Sequence, residues 1–240
     1  MLIECDQSAL EWRVAVEHSR DPVGIAEILS GADVHSNNQK FFNLPERVIA
    51  KRFLFRAIYK GSAWSYAHDD DFKHVSTSEK YWQKVIDSMY EKYAGLAAWH
   101  TKIIQEVNRT GRLTIQTGRV YEFKRGKKGE YSENDIANYP VQGFGAELMA
   151  VVRVSLFNRY RKFHLRDKML FVNTVHDSVV VDADVKEGSE ELREVCMFLE
   201  DAFSDGAGNF ERLYGVKLAV PFAGECKYGM NWGNMTKFKR

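Results

Sequence analysis

Met169-Leu-Phe-Val-Asn-Thr-Val-His-Asp-Ser-Val-Val-Val-Asp182 reads as two short apolar strands joined at His176-Asp177-Ser178. The β-branched run Val179, Val180 and Val181 suits a strand packed on both sides, and a polar His-Asp-Ser step between two apolar runs predicts a tight reversal. An ionised carboxylate at the rim of a buried sheet is costly unless something cationic meets it there. Asp177 thus has two readings, an ordinary turn residue or one half of a cation site. A second acidic strand end elsewhere in the chain would separate them.

Working outward, 240 residues with 45% hydrophobic content can bury a sizeable core, as one large domain or two subdomains. Aromatic residues are frequent, Pro is scarce, and no repetitive or Ser/Gly-rich linker occurs, so nothing reads as disordered. The formal net charge is only +1, so any nucleic-acid surface must come from local clustering of cations. Cys5, Cys196 and Cys226 are an odd number with no CxxC spacing, which predicts reduced, buried thiols and argues against zinc. With no charged-then-apolar leader and no apolar run long enough to span a bilayer, the expectation is a cytoplasmic protein with no membrane partner.

Leu2-Ile-Glu-Cys-Asp6 supplies the second acidic strand end, and Ala9 to His18 then carries apolar residues at helical spacing. Asp6 at this junction is either a helix N-cap or a partner for Asp177. Two strand-end aspartates on adjacent strands would suit Mg²⁺, a hard ion that prefers oxygen ligands and completes its shell with water and substrate phosphates. Two such ions support phosphoryl transfer at a 3′ hydroxyl.

Asp21-Pro22 predicts the start of a helix ending near Ser30-Gly31, and Asn43-Leu-Pro-Glu46 opens a longer one to about Tyr59, with Lys60-Gly61 as its stop. Arg47, Lys51, Phe55 and Tyr59 follow at four-residue intervals, one winding stripe of two cations and two rings over about 18 Å. Such a stripe suits a triphosphate at one end and a base and sugar at the other. A solvated basic face over buried aromatics would give the same pattern.

Ser76-x-x-Glu79 predicts a capping box for a helix carrying Trp82, Val85, Ile86, Met89 and Tyr93, and a second helix follows from Gly95 to Gly111. Arg112 to Phe123 predicts a hairpin around Thr117-Gly118, with the basic loop Lys124-Arg-Gly-Lys-Lys128 after it. Ala146 to Phe163 and Ser189 to Phe203 read as helices, and Val216 to Val220 as a strand.

Three elements together resemble a known family, the family A DNA polymerases of the DNA polymerase I type. Asp6-Gln-Ser-Ala-Leu-Glu11-Trp-Arg13 resembles their motif A, Arg47-xxx-Lys51-xxx-Phe55-xxx-Tyr59 their motif B, and Val175-His176-Asp177 their motif C, in matching order and spacing. Gly31-Ala-Asp-Val-His35, Gly118-Arg119, Asn138-Tyr-Pro-Val-Gln142-Gly143 and Asn231-Trp232 are similar to smaller family signatures, so the resemblance covers nearly the whole chain.

The resemblance implies an α+β fold. A palm with an antiparallel β-sheet and flanking helices (1–20 and 138–240) is interrupted by a mainly α-helical fingers subdomain (21–137), and the thumb is absent. It implies a template-directed DNA polymerase that adds deoxynucleotides to a primer 3′ end, with primer-template DNA and deoxynucleoside triphosphates as partners and two Mg²⁺ ions as cofactors, Mn²⁺ being an alternative. The metal set would be Asp6, Asp177 and the Gln7 carbonyl. Arg47 and Lys51 would grip the triphosphate, with Lys51 a proton donor to the departing pyrophosphate. His35 would assist them, Phe55 would face the sugar and base, and Glu11 would close the space beside the sugar C2′. Tyr59 would stack near the template base, and Arg13, Asn138, Gln142 and His176 would touch the primer-template.

The chain departs from the family pattern at Ser178, where a second acid is usual, at Asn134, where Arg is common, and at Arg56 and Lys60, which replace small residues. Because the thumb grips the duplex in this family, its absence implies either a second polypeptide supplying thumb and N-terminal palm, as in a split phage or viral polymerase, or a sequence that is a fragment of a longer chain. The alternatives are a fragment of a single-subunit phage-type RNA polymerase, against which Glu11 speaks, and a non-catalytic DNA-binding remnant, against which the retained aspartates, Arg47 and Lys51 speak.

Overall fold

The computed structural model describes all 240 residues, and they form two compact units: Met1–Leu10 with Gly143–Arg240, and Glu11–Gln142. The first is built on a five-stranded antiparallel sheet of β1 (Leu2–Gln7), β4 (Met169–Val175), β5 (Ser178–Ala183), β6 (Gly224–Asn231) and β7 (Asn234–Lys237), in the order β4-β5-β1-β6-β7. Alternation along β1 buries Ile3, Cys5 and Gln7, while Leu2, Glu4 and Asp6 stay half-buried on the opposite face. Along β1 one face is thus core and the other only partly covered.

Val179, Val180 and Val181 are all buried, as their β-branched run predicts. β4, in contrast, is an edge strand with a register shift between Phe171 and Asn173, and its Leu170, Val172 and Val175 are exposed. The 143–160 part of α8 (Glu133–Tyr160) and α9 (Glu190–Tyr214) supply the helical layer, with Phe144 and Phe210 ring centroids 4.9 Å apart. Both helices are longer than the sequence pattern predicts, and Pro140 lies inside α8.

Val216–Val220 is not a strand. Glu211 caps the Leu218 N–H through its side chain at 2.8 Å, and Pro221, which has no N–H to give a ladder, follows at once. The strands of this region are instead β6 and β7. β6 pairs with β1 from Gly224 to Gly229, and a Cβ at Gly224 would lie 2.6 Å from the Cys5 Sγ.

The second unit contains α1 (Leu10–Ser19, from Glu11 on), α2 (Pro22–Leu29), α3 (Val34–Phe41), α4 (Arg47–Ile58), α5 (Ala63–Ala67), α6 (Glu79–Lys92), α7 (Ala94–Thr110), the hairpin β2 (Arg112–Thr114) and β3 (Val120–Glu122), and the first residues of α8. Its core is aromatic: Phe53, Tyr66, Phe72 and Trp82 are fully buried, and Tyr66 and Trp82 each contact the other three rings. α6 is capped by Ser78, whose hydroxyl accepts from the Tyr81 N–H, and not by Ser76, whose carbonyl is taken by the Trp82 indole.

The boundaries between the compact units fall at Leu10/Glu11 and Gln142/Gly143. The reason is packing. Trp12 lies edge-on to Tyr93 at 4.8 Å, and a Cβ at Gly24 would meet Val16 and Trp12, so α1 is held by helices that follow it. No helix of the chain is long and apolar enough to cross a membrane.

Candidate active site

In the sheet unit, Asp6 is paired across β1–β5 with Ser178, and the two-residue loop His176-Asp177 begins directly beyond that partner. The Gln7 N–H donates to the Asp177 carbonyl at 3.1 Å and fastens the loop to the end of β1. Asp6 is not a helix cap, since Gln7, Ser8 and Ala9 intervene before α1 and its Oδ1 is buried with no hydrogen-bond partner. Burial, then the negative charge of Asp177, with a smaller contribution from Glu4, raises the Asp6 pKa to about 6 against the pull of Lys227. A carboxyl in this position gains by taking a proton or a cation. The two aspartates are thus close enough to interact, and Asp177 lies in the tight reversal between β4 and β5.

No group of three or more His, Cys, Asp or Glu side chains is gathered to hold a metal by itself. The donor set fits Mg²⁺ in the way that ion is commonly bound, through one or two carboxylates with water and phosphate oxygens completing the octahedron. Gln7 turns its side chain to the core, where the amide donates to the Ala223 carbonyl at 3.2 Å. His176 is exposed and has a left-handed backbone, φ 49°. Cys5, Cys196 and Cys226 are free and buried, as their spacing predicts.

In the helical unit, α4 buries Ile49, Ala50, Phe53, Leu54, Ala57 and Ile58, which turns the Arg47, Lys51, Phe55 stripe outward. Lys51 Nζ lies 5.7 Å from the centroid of the Phe55 ring, and the His35 ring is 6.0 Å from Phe55. His35 is brought to the same face: burial, then the Arg47 and Lys51 charges, lower its pKa to about 4, so it is a neutral imidazole with a buried, unpaired Nδ1. Arg47 is already engaged. Its Nε and Nη2 donate to the two Asp33 oxygens at 2.7 and 3.0 Å, and the same carboxylate caps α3 through the His35 and Ser36 N–H groups. The Arg47 bond holds the Asp33 carboxyl far below the usual range.

Tyr59 ends α4, and its hydroxyl accepts from the Gln142 amide at 2.6 Å. Burial, then the nearby Glu11 carboxylate, pushes the Tyr59 phenol well above its ordinary pKa. Glu11, Tyr59 and Gln142 are thus one cluster, while Arg13 and Asn138 are half-buried on α1 and α8.

The family model "DNA polymerase family A" matches residues 1–234. The chain belongs to DNA polymerase family A. Among curated proteins it is 27% identical to the DNA polymerase I of Aquifex aeolicus, over 79% of this chain and 33% of that one. It is 24% identical to the DNA polymerase of Bacillus phage SP01, over 98% of this chain and 26% of that one. The chain thus spans about a quarter to a third of the length of these relatives. Its fold is similar to the POL domain of Pol1 from M. smegmatis, a structure in complex with DNA primer-template and dNTP, with a TM-score of 0.78 at 20% identity over 96% of this chain and 40% of that one.

Three residues make contacts that the sequence did not assign to them, although Asp33 and Asn134 lie in stretches already compared with the family and only Arg153 had no signal at all. Asp33 is a cap by its position before Val34, yet it also clamps Arg47 fourteen residues on. Asn134, in the place of the family's common Arg, donates to the Tyr59 carbonyl at 2.7 Å and closes the end of α4. Arg153 reaches the His176 carbonyl from α8. Arg56 is a tether: it donates to the Ser65 carbonyl and the Asp69 carboxylate and lies 4.8 Å from the Phe72 ring centroid.

Proposed function

We propose that this chain is the catalytic portion of a template-directed DNA polymerase, extending a primer 3′ end with deoxynucleotides by two-metal phosphoryl transfer. The observation that carries it is the convergence of Asp6 and Asp177 at adjoining strand ends, with a buried Asp6 oxygen left for a cation. Asp6, Asp177 and the Gln7 carbonyl would hold Mg²⁺. When bound, the ions lower the pKa of the attacking hydroxyl and stabilise charge on the leaving pyrophosphate.

The other roles belong to side chains. Arg47, once released by Asp33, binds phosphate oxygens with its planar fork, and Lys51 Nζ holds the proton that the departing pyrophosphate takes. Neutral His35 adds a hydrogen bond there without further charge. Phe55 packs on the sugar and base. Glu11 occupies the space a ribose 2′-hydroxyl would need, which selects deoxynucleotides. Tyr59, Gln142, Arg13, Asn138 and His176 contact the primer-template.

The test is primer extension by the native polymerase preparation, with any polypeptide that co-purifies. Asp6→Asn and Asp177→Asn should each reduce deoxynucleotide addition to background while DNA binding persists. Removing a carboxylate from a mutually repelling pair should leave thermal stability unchanged or raised. Undiminished addition by either variant, or preferential use of ribonucleotides by the wild type, refutes the proposal.

A further inference from the structure

The motif C loop has an unusual set of fastenings. Three successive carbonyls, those of Val175, His176 and Asp177, each have a donor of their own. Ser178 Oγ donates to Val175 at 3.1 Å, Arg153 Nη2 to His176 at 2.8 Å, and the Gln7 N–H to Asp177 at 3.1 Å. The loop needs them, because His176 lies in the left-handed region at φ 49°, where a side chain crowds the backbone.

Ser178 and Gln7 belong to the sheet itself. Arg153 comes from α8, twenty-three residues away in sequence. It is half-buried and forms no ion pair, and its Nε is buried with no partner. A structural arginine is ordinarily neutralised by a carboxylate and has its buried donors satisfied. Arg153 instead spends its one bond on the residue next to Asp177.

We propose that Arg153 is a positioning residue for the reaction: by holding the His176 carbonyl it fixes the backbone from which Asp177 presents its carboxylate to the metal. This rests on the assignment of Asp177 to the metal site. Groups that orient a ligand in this indirect way change metal affinity substantially when removed. Arg153 touches neither the nucleotide's phosphates nor the reacting atoms in this role, so its loss should separate metal binding and turnover from nucleotide and DNA affinity.

The experiment compares wild type, Arg153→Met, Arg153→Lys and Asp177→Asn in the purified polymerase. Mn²⁺ binding without nucleotide is followed by the loss of free-ion EPR signal. kcat and KM for a deoxynucleotide are measured on a primed template, and DNA affinity at two salt concentrations. Arg153→Met keeps the aliphatic stem and should weaken Mn²⁺ binding about tenfold and lower kcat by a similar factor, with KM, DNA affinity and melting temperature unchanged. Arg153→Lys, which can still donate to a carbonyl, should recover part of both losses. Unchanged Mn²⁺ affinity in Arg153→Met overturns the proposal, provided Asp177→Asn loses it; if Asp177→Asn also binds Mn²⁺ as wild type does, it is the metal-site assignment that has failed, and the proposal with it. Weaker DNA binding with a shallower salt dependence and an intact kcat would make Arg153 a phosphate contact and would equally overturn it.

Discussion

On the proposed role of Arg47 at the triphosphate, Asp33→Asn should tighten binding of an incoming nucleotide. Arg47, assigned to the triphosphate, is held in a two-pronged bond by Asp33, so a phosphate must displace a carboxylate before it can use that guanidinium. Asn is as good an N-cap as Asp, and its side-chain oxygen can still accept from the His35 and Ser36 N–H groups, so α3 keeps its cap while the charge is removed. The geometry is ideal for a strong pair, but the side chains are 52% and 45% exposed, and solvent screening limits the pair to about 0.5–1 kcal/mol. Released to the ligand, that corresponds to a KM lower by about two- to fivefold. The gain should be largest at low salt and shrink as ionic strength rises. Steady-state incorporation on saturating primed template measures it, with melting temperature recorded alongside. Asp33→Ala serves as a comparison, because it frees Arg47 but also loses the cap, at a cost of about 1 kcal/mol. A KM for Asp33→Asn equal to or above that of the wild type, in a protein of unchanged melting temperature, refutes the reasoning.

His100 makes a pH prediction in the helical unit. It is buried, donates from Nε2 to the Ile58 carbonyl at 2.9 Å and faces the Tyr90 hydroxyl with Nδ1 at 3.0 Å, and burial lowers its pKa to about 3. The unfolded chain takes up the proton below about pH 6.5 and the native chain does not until near pH 3, so its share of stability is intact above 6.5 and lost as pH falls. Between pH 7 and pH 5 that loss is about 2 kcal/mol, and denaturant unfolding of His100→Gln should show a smaller drop than wild type over this range; an identical drop would rule the account out. Two glycines of α9 make a paired test by thermal melting. A Cβ at Gly206 would lie 2.8 Å from the Val152 Cα, so Gly206→Ala should destabilise by about 1–3 kcal/mol. Gly208 has only the Arg212 guanidinium at 3.7 Å, so Gly208→Ala should stabilise by about 0.5–1 kcal/mol. Equal shifts in the two variants would show that the helix contact does not decide the sign.

Features written in short-range periodicity were legible in the sequence alone. The four-residue stripe from Arg47 to Tyr59, the caps at Asp21 and Gly111, and the reversal at His176-Asp177 each depend on residues a few positions apart, where local sterics and hydrogen bonding choose the conformation. Elements whose existence depends on a distant partner were not. β6 contains Gly224 and Gly229, poor strand formers alone, and becomes a strand because β1 offers it a ladder. Val216–Val220 has the composition of a strand but joins no sheet, and Glu211 takes the Leu218 N–H.

The same division runs through the site. By itself the sequence determined which groups are present: two strand-end aspartates, a helix with cations and rings on one face, and a glutamate and a glutamine at family positions. Only the tertiary structure decided how those groups stand. It set Asp6 half-buried beside Asp177 with an oxygen unmatched, tied Arg47 to Asp33, and brought Arg153 to the carbonyl next to Asp177. The reason is that a residue's type fixes its charge and its hydrogen-bonding capacity, whereas its protonation, its partner and its freedom to bind a ligand depend on what the fold packs against it.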